Sequence, residues 1–119
     1  MMRSFVIALI SCVGFAAVAS AQDAKVAKGQ TVYAEQKCAL CHSIGDKGNK
    51  KGPLDGVGSK LKAAEIREWL TNPDEMRAKS KSTRTPAMKN FSTLPKDQID
   101  SLVAFLQAQK GAANADDAR

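Results

Sequence analysis

Cys38-Ala39-Leu40-Cys41-His42 places two thiols and an imidazole within five consecutive residues. On a helical turn, positions 38, 41 and 42 stand as i, i+3 and i+4, so the three side chains share one face. Two thiols on one face can form thioether bonds to the two vinyl groups of one haem edge. The imidazole can then meet the iron from one side, and this spacing is the attachment signature of a c-type haem. His42 is the single histidine of the chain, so the pattern claims the only imidazole present.

Three other chemistries could use these residues, and each fits less well. A thioredoxin-like dithiol calls for a strand–helix–strand pattern around it, and no such alternation is visible. A structural zinc site needs four N/S ligands, and Cys38, Cys41 and His42 fall one short unless a carboxylate joins. A disulfide between Cys38 and Cys41 would close only a very small loop.

A haem iron held by one protein ligand is open to small molecules; held by two, it is an electron-transfer centre. With no second histidine, methionine is the next candidate. Met1 and Met2 lie in a segment that reads as a leader, which leaves Met76 and Met88. Met88 follows Thr85-Pro86-Ala87, and a loop braced by proline is well placed to reach a fixed atom. Met76, on a helical turn after Pro73, remains the alternative, and a lysine ligand is a remote third. A thioether is soft and neutral, favours Fe(II), and raises the potential.

The elements that must position these groups are helical. Asp23 to about Lys37 reads as a helix, capped by Asp23, with Val26 and Tyr33 at helical spacing. Gly29 within it marks either a close backbone approach or an incidental glycine. The glycine-crowded stretch 43–60 reads as loop, without the strand or lysine pattern of a phosphate-binding loop. Leu61 to Leu70 is a second helix with the stripe Ile66, Trp69, Leu70, stopped by Asn72-Pro73. A short helical turn and loop cover 74–93. Pro95 to Gln109 is the clearest helix, with Ile99, Leu102, Val103 and Leu106 at i, i+3, i+4 and i+7 and Gly111 as its stop. The expectation is one all-α domain of three to four helices with long loops and no strand.

The ends read differently. Arg3, the apolar stretch Phe5 to Val18 and Ala19-Ser20-Ala21 have the form of a cleaved export signal, residues 1–21, leaving 22–119 as the domain and 112–119 as a frayed tail. An uncleaved anchor, or a lipid on Cys12, are the minority alternatives. Few aromatics remain outside the leader, only Tyr33, Trp69, Phe91 and Phe105, so the chain reads as a wrapper around its cofactor. The net charge is +6, one unit of it on Arg3. Segments 37–51 and 79–89 hold eight basic residues against one acid, Asp46. That is either a plain solvated face or a basic ring that steers acidic-surfaced redox proteins or membrane redox complexes. An exported chain without aromatic interleaving gives no reason to expect nucleic-acid binding.

Taken together, Cys38–His42, Gly52-Pro53-Leu54, Trp69-Leu70-Thr71-Asn72-Pro73, Pro86-Ala87-Met88 and Leu102–Leu106 resemble a class I, monohaem cytochrome c. The resemblance spans essentially all of 22–119 and implies the small cytochrome c fold around one covalent haem c. It implies that the Pro53 carbonyl accepts the second ring N–H of His42, that Leu54 packs on the haem, and that Trp69 lies beside it on the methionine side. It further implies that His42 and Met88 are the axial ligands, and that Gly29 and Tyr33 meet Leu102 and Phe105 where the last helix crosses the first. Phe105 stands where tyrosine is common. Arg84, Thr85 and Trp69 are candidates for the propionates. The function implied is a soluble periplasmic single-electron carrier, monomeric, with no small-molecule substrate and no enzymatic activity. The alternatives are a dedicated electron-transfer subunit of a periplasmic dehydrogenase or oxidase and, further off, an open-site ligand-binding haem sensor.

Overall fold

The computed structural model describes residues 16–111. Cys12 and the tail 112–119 lie outside them, as does most of the leader. The helices are α1 (Ala16–Glu35), α2 (Val57–Lys60), α3 (Ala63–Thr71), α4 (Pro73–Ser80) and α5 (Lys96–Gln107), with a 3-10 turn at Cys38–Leu40. No described helix is long and apolar enough to cross a membrane.

α1 begins at Ala16 rather than Asp23. The run before Asp23 is rich in alanine and free of Gly and Pro, so nothing stops the helix, and Asp23 lies inside it rather than at its cap. α3 ends where proline requires. Asn72 leaves the helical region (φ −145°, ψ 57°), and Pro73 then opens α4 at its first position, where its missing N–H costs nothing. α4 runs for eight residues, longer than the single turn expected. Its first turn carries Asp74 and Glu75, its last Arg77 and Lys79, which suits the helix dipole. α5 ends at Gln107, and Gly111 packs against Gly56 instead of capping it.

The sequence reading missed a small antiparallel hairpin, β1 (Ser43–Ile44) with β2 (Lys47–Gly48). Its register pairs Ser43 with Gly48 and Ile44 with Lys47, leaving Gly45-Asp46 as a two-residue turn. Gly45 adopts φ +59°, the conformation the first central residue of such a turn needs.

The core forms where α5 crosses α1. Ile99, Leu102, Val103 and Leu106 are all buried, and they pack with Val32, Ile66, Leu70, Phe91 and Phe105. At the crossing, a Cβ on Gly29 would land on the Ser101 carbonyl and stand 2.6 Å from Phe105 Cβ. Gly29 is therefore a close-approach glycine, and the incidental reading is set aside. Tyr33 and Phe105 stack obliquely, with centroids 5.3 Å apart at 57°. Lys28 pairs with Asp97 across this crossing, and Arg67 of α3 pairs with Asp100 at 2.5 Å.

Candidate haem site

The site begins where α1 stops. Gln36 and Lys37 donate back to Val32 and Ala34, and Lys37 then turns left-handed at φ 56°. The chain re-enters a helical turn at Cys38, whose carbonyl accepts the N–H groups of both Cys41 (3.1 Å) and His42 (2.9 Å). This is the single turn that the spacing of the two cysteines and histidine requires.

Cys38 is half-buried, Cys41 is exposed, and both are free thiols. Burial pushes the Cys38 thiol up to about 11, with a smaller contribution from the neighbouring Cys41. Both disulfide and zinc readings lose ground. The thiols are unpaired, and no group of three or more His, Cys, Asp or Glu among the described residues could hold a metal ion.

His42 Nδ1 lies 3.0 Å from the carbonyl oxygen of Gly52. The partner is thus Gly52, not Pro53 as expected. Ser43 forms a parallel bridge with Pro53: the Ser43 N–H donates to the Gly52 carbonyl at 3.1 Å and the Leu54 N–H to the Ser43 carbonyl at 2.8 Å. That register brings the Gly52 carbonyl, one residue early, beneath the imidazole. Burial holds His42 below its ordinary value; the Gly52 carbonyl opposes the shift, and the Arg84 guanidinium adds to it. The imidazole is therefore neutral near pH 7 with its Nδ1–H donating to the Gly52 carbonyl, which leaves Nε2 free as a metal ligand. Two free thiols and this oriented imidazole are the donor set a covalent haem needs.

Asn49 was not singled out in the sequence, yet it completes the turn. The last carbonyls of a helical turn have no partner within it. The Asn49 N–H donates to the carbonyls of Ala39 (3.1 Å) and His42 (2.9 Å), and its side-chain amide to that of Leu40 (3.1 Å). The Cys41 carbonyl accepts from Arg84 Nη2. An asparagine inside a glycine-rich loop directly after the thiols was the available signal.

The remaining site residues sit as follows. Leu54 and Met88 are half-buried and pack against the core. Pro53 is exposed. Trp69 is half-buried on α3, while its stripe partners Ile66 and Leu70 are fully buried. Met76 lies within α4. Tyr33 points its hydroxyl into the interior, where it finds no hydrogen-bond partner among the described residues. Burial, then Cys38 and Asp55, raise the pKa of that phenol.

An all-α domain that offers two thiols and a free imidazole nitrogen from a single turn defines a haem-attaching protein. The cytochrome c family model matches residues 26–110, and the chain belongs to that family. Comparison with curated proteins and with solved structures returns no match. The chain is accordingly a haem-binding electron carrier of the monohaem class, with haem c bound through Cys38 and Cys41.

Proposed function

We propose that this protein is a soluble periplasmic single-electron shuttle, exported by residues 1–21 and folded as the domain 22–119, with His42 and Met88 as its two axial ligands. The observation that carries this reading is the hydrogen bond between His42 Nδ1 and the Gly52 carbonyl, which fixes the tautomer and leaves Nε2 free. When bound, the haem supplies the one-electron couple of its iron. The protein's own residues do the rest. Cys38 and Cys41 would hold the haem covalently, and His42 and Met88 would be its two protein ligands. Met88 is favoured over Met76 because it lies in a strap packed on the core, whereas Met76 is fixed in a helix. Two protein ligands leave no position for a substrate, so no bond-making activity is assigned. The exposed lysines Lys37, Lys47, Lys50 and Lys51 beside the attachment turn suit partners with acidic surfaces.

The test is an optical and potentiometric comparison of the matured protein with Met88→Ala. The wild type is expected to show sharp reduced bands and the weak far-red methionine–iron band of the oxidised state. Met88→Ala is expected to keep its covalent haem, lose that band and drop in potential by on the order of 0.1 V, within the ~0.8 V range that axial ligands span. An unchanged spectrum and potential would remove Met88 from the iron.

A further inference from the structure

Met88 sits in a strap, residues 81–90, that has no regular secondary structure and is tied down at both ends. Downstream, the Phe91 N–H donates to the Leu70 carbonyl at 2.8 Å, and the Phe91 ring is buried. Upstream, Arg77 of α4 reaches past the end of its own helix. Its Nε donates to the Ser82 carbonyl at 3.3 Å and its Nη2 to the Arg84 carbonyl at 3.2 Å. Arg84, held by that contact, donates through Nη2 to the Cys41 carbonyl. Its guanidinium lies against Gly52, where a Cβ would collide with both the guanidinium and the Cys41 carbonyl.

The turn's carbonyls show what this contact adds. Ala39, Leu40 and His42 are satisfied by Asn49, which is local. The Cys41 carbonyl is satisfied from the strap, 43 residues away in sequence. A guanidinium suits that position because the end of a helical turn carries partial negative charge, and a charged donor bonds it more strongly than a neutral one. Gly52, under the same guanidinium, is the residue that orients His42.

We propose that Arg84, backed by Arg77, is a positioning residue that latches the Met88 strap to the turn carrying Cys41 and His42, and so sets how long methionine stays on the iron. This rests on the reading of Met88 as the second ligand. Without the latch the strap is tied upstream only to α4, and Met88 can swing away.

The experiment uses matured, oxidised holoprotein and imidazole as the competing ligand, following loss of the far-red methionine–iron band with time. Arg84→Gln is expected to exchange at least tenfold faster than wild type. Arg84→Lys, which keeps a cation able to donate to the Cys41 carbonyl, is expected to recover most of the difference. Arg84→Gln exchanging at the wild-type rate would overturn the latch, as would a changed potential with an unchanged exchange rate, since that describes a charge effect and not a positional one. Should Arg84→Gln fail to mature, Arg77→Gln tests the same strap from the α4 side. A faster exchange there supports the latch, and a wild-type rate overturns it. A wild type that lacks the methionine band from the start would refute the Met88 reading, and the latch with it, a result distinct from any variant effect.

Discussion

Tyr33 shows how one atom can set a stability. Its hydroxyl is buried without a partner among the described residues, and an unmatched buried hydroxyl costs about 1–3 kcal/mol. The ring itself is well used against Phe105. Tyr33→Phe is therefore expected to raise the thermal midpoint of the matured protein, by up to several degrees. A lower midpoint in calorimetry would mean that the hydroxyl has found a partner on the bound haem. At this scale the sequence was legible where side-chain chemistry is rare and unlike anything else: two cysteines and the only histidine identify themselves. Asn49 did not, and Arg84 stood out only as a propionate candidate, because what they bind in the fold are backbone carbonyls, which every residue carries. The shift from Pro53 to Gly52 as the partner of His42 has the same origin, since it depends on the Ser43–Pro53 register and not on residue type.

At the level of the elements, the α1–α5 crossing is the most constrained feature. Gly29→Ala would drive a methyl group into the Ser101 carbonyl and Phe105, and overpacking of this kind costs about 1–3 kcal/mol. A clear fall in the denaturation midpoint with covalent haem retained is the expected result. Another face of α5, toward α3, carries charge. Asp100 is held down to about 2, first by Lys96 and then by Arg67, so its carboxylate is preferred in the folded state. Its contribution is complete above the ordinary carboxylate range, near ~4, and is lost as the pH falls toward 2. Asp100→Asn is expected to lower the thermal midpoint by a few degrees at pH 7, with the two proteins converging in acid; a constant difference down to pH 2 would exclude the ionic origin. α5 was legible because its apolar residues repeat at helical spacing over its whole length. The hairpin was not, because two-residue strands are too short to alternate. The start of α1 was hidden as well, whereas its end was placed at about Lys37, close to where it falls. A lysine at φ 56° turns the chain there, in a conformation where glycine would have been the usual sign.

Across the whole molecule, charge is distributed less evenly than the net value of +6 conveys. The two basic segments meet where Arg84 touches Cys41, but not every cation in them is free, since Lys79 pairs with Glu75 at 2.6 Å. Lys50 and Lys51 are exposed, and their replacement by glutamate is expected to slow electron exchange with an acidic-surfaced partner about tenfold at low ionic strength. The difference should vanish at about 1 M salt, where the screening length is about 3 Å. A stopped-flow salt series that leaves it intact would argue against electrostatic steering. Composition and charge were readable from the start; which lysines are free depends on neighbours that only the fold supplies. The α1–α5 pairing joins the two ends of the domain, and a chain is synthesised from its amino end. Cys38 and Cys41 therefore leave the ribosome behind α1 alone, with the helix that locks α1 in place still to be made. The turn that carries the thiols is thus flanked by a helix that stays unlocked until the carboxyl-terminal helix packs against it.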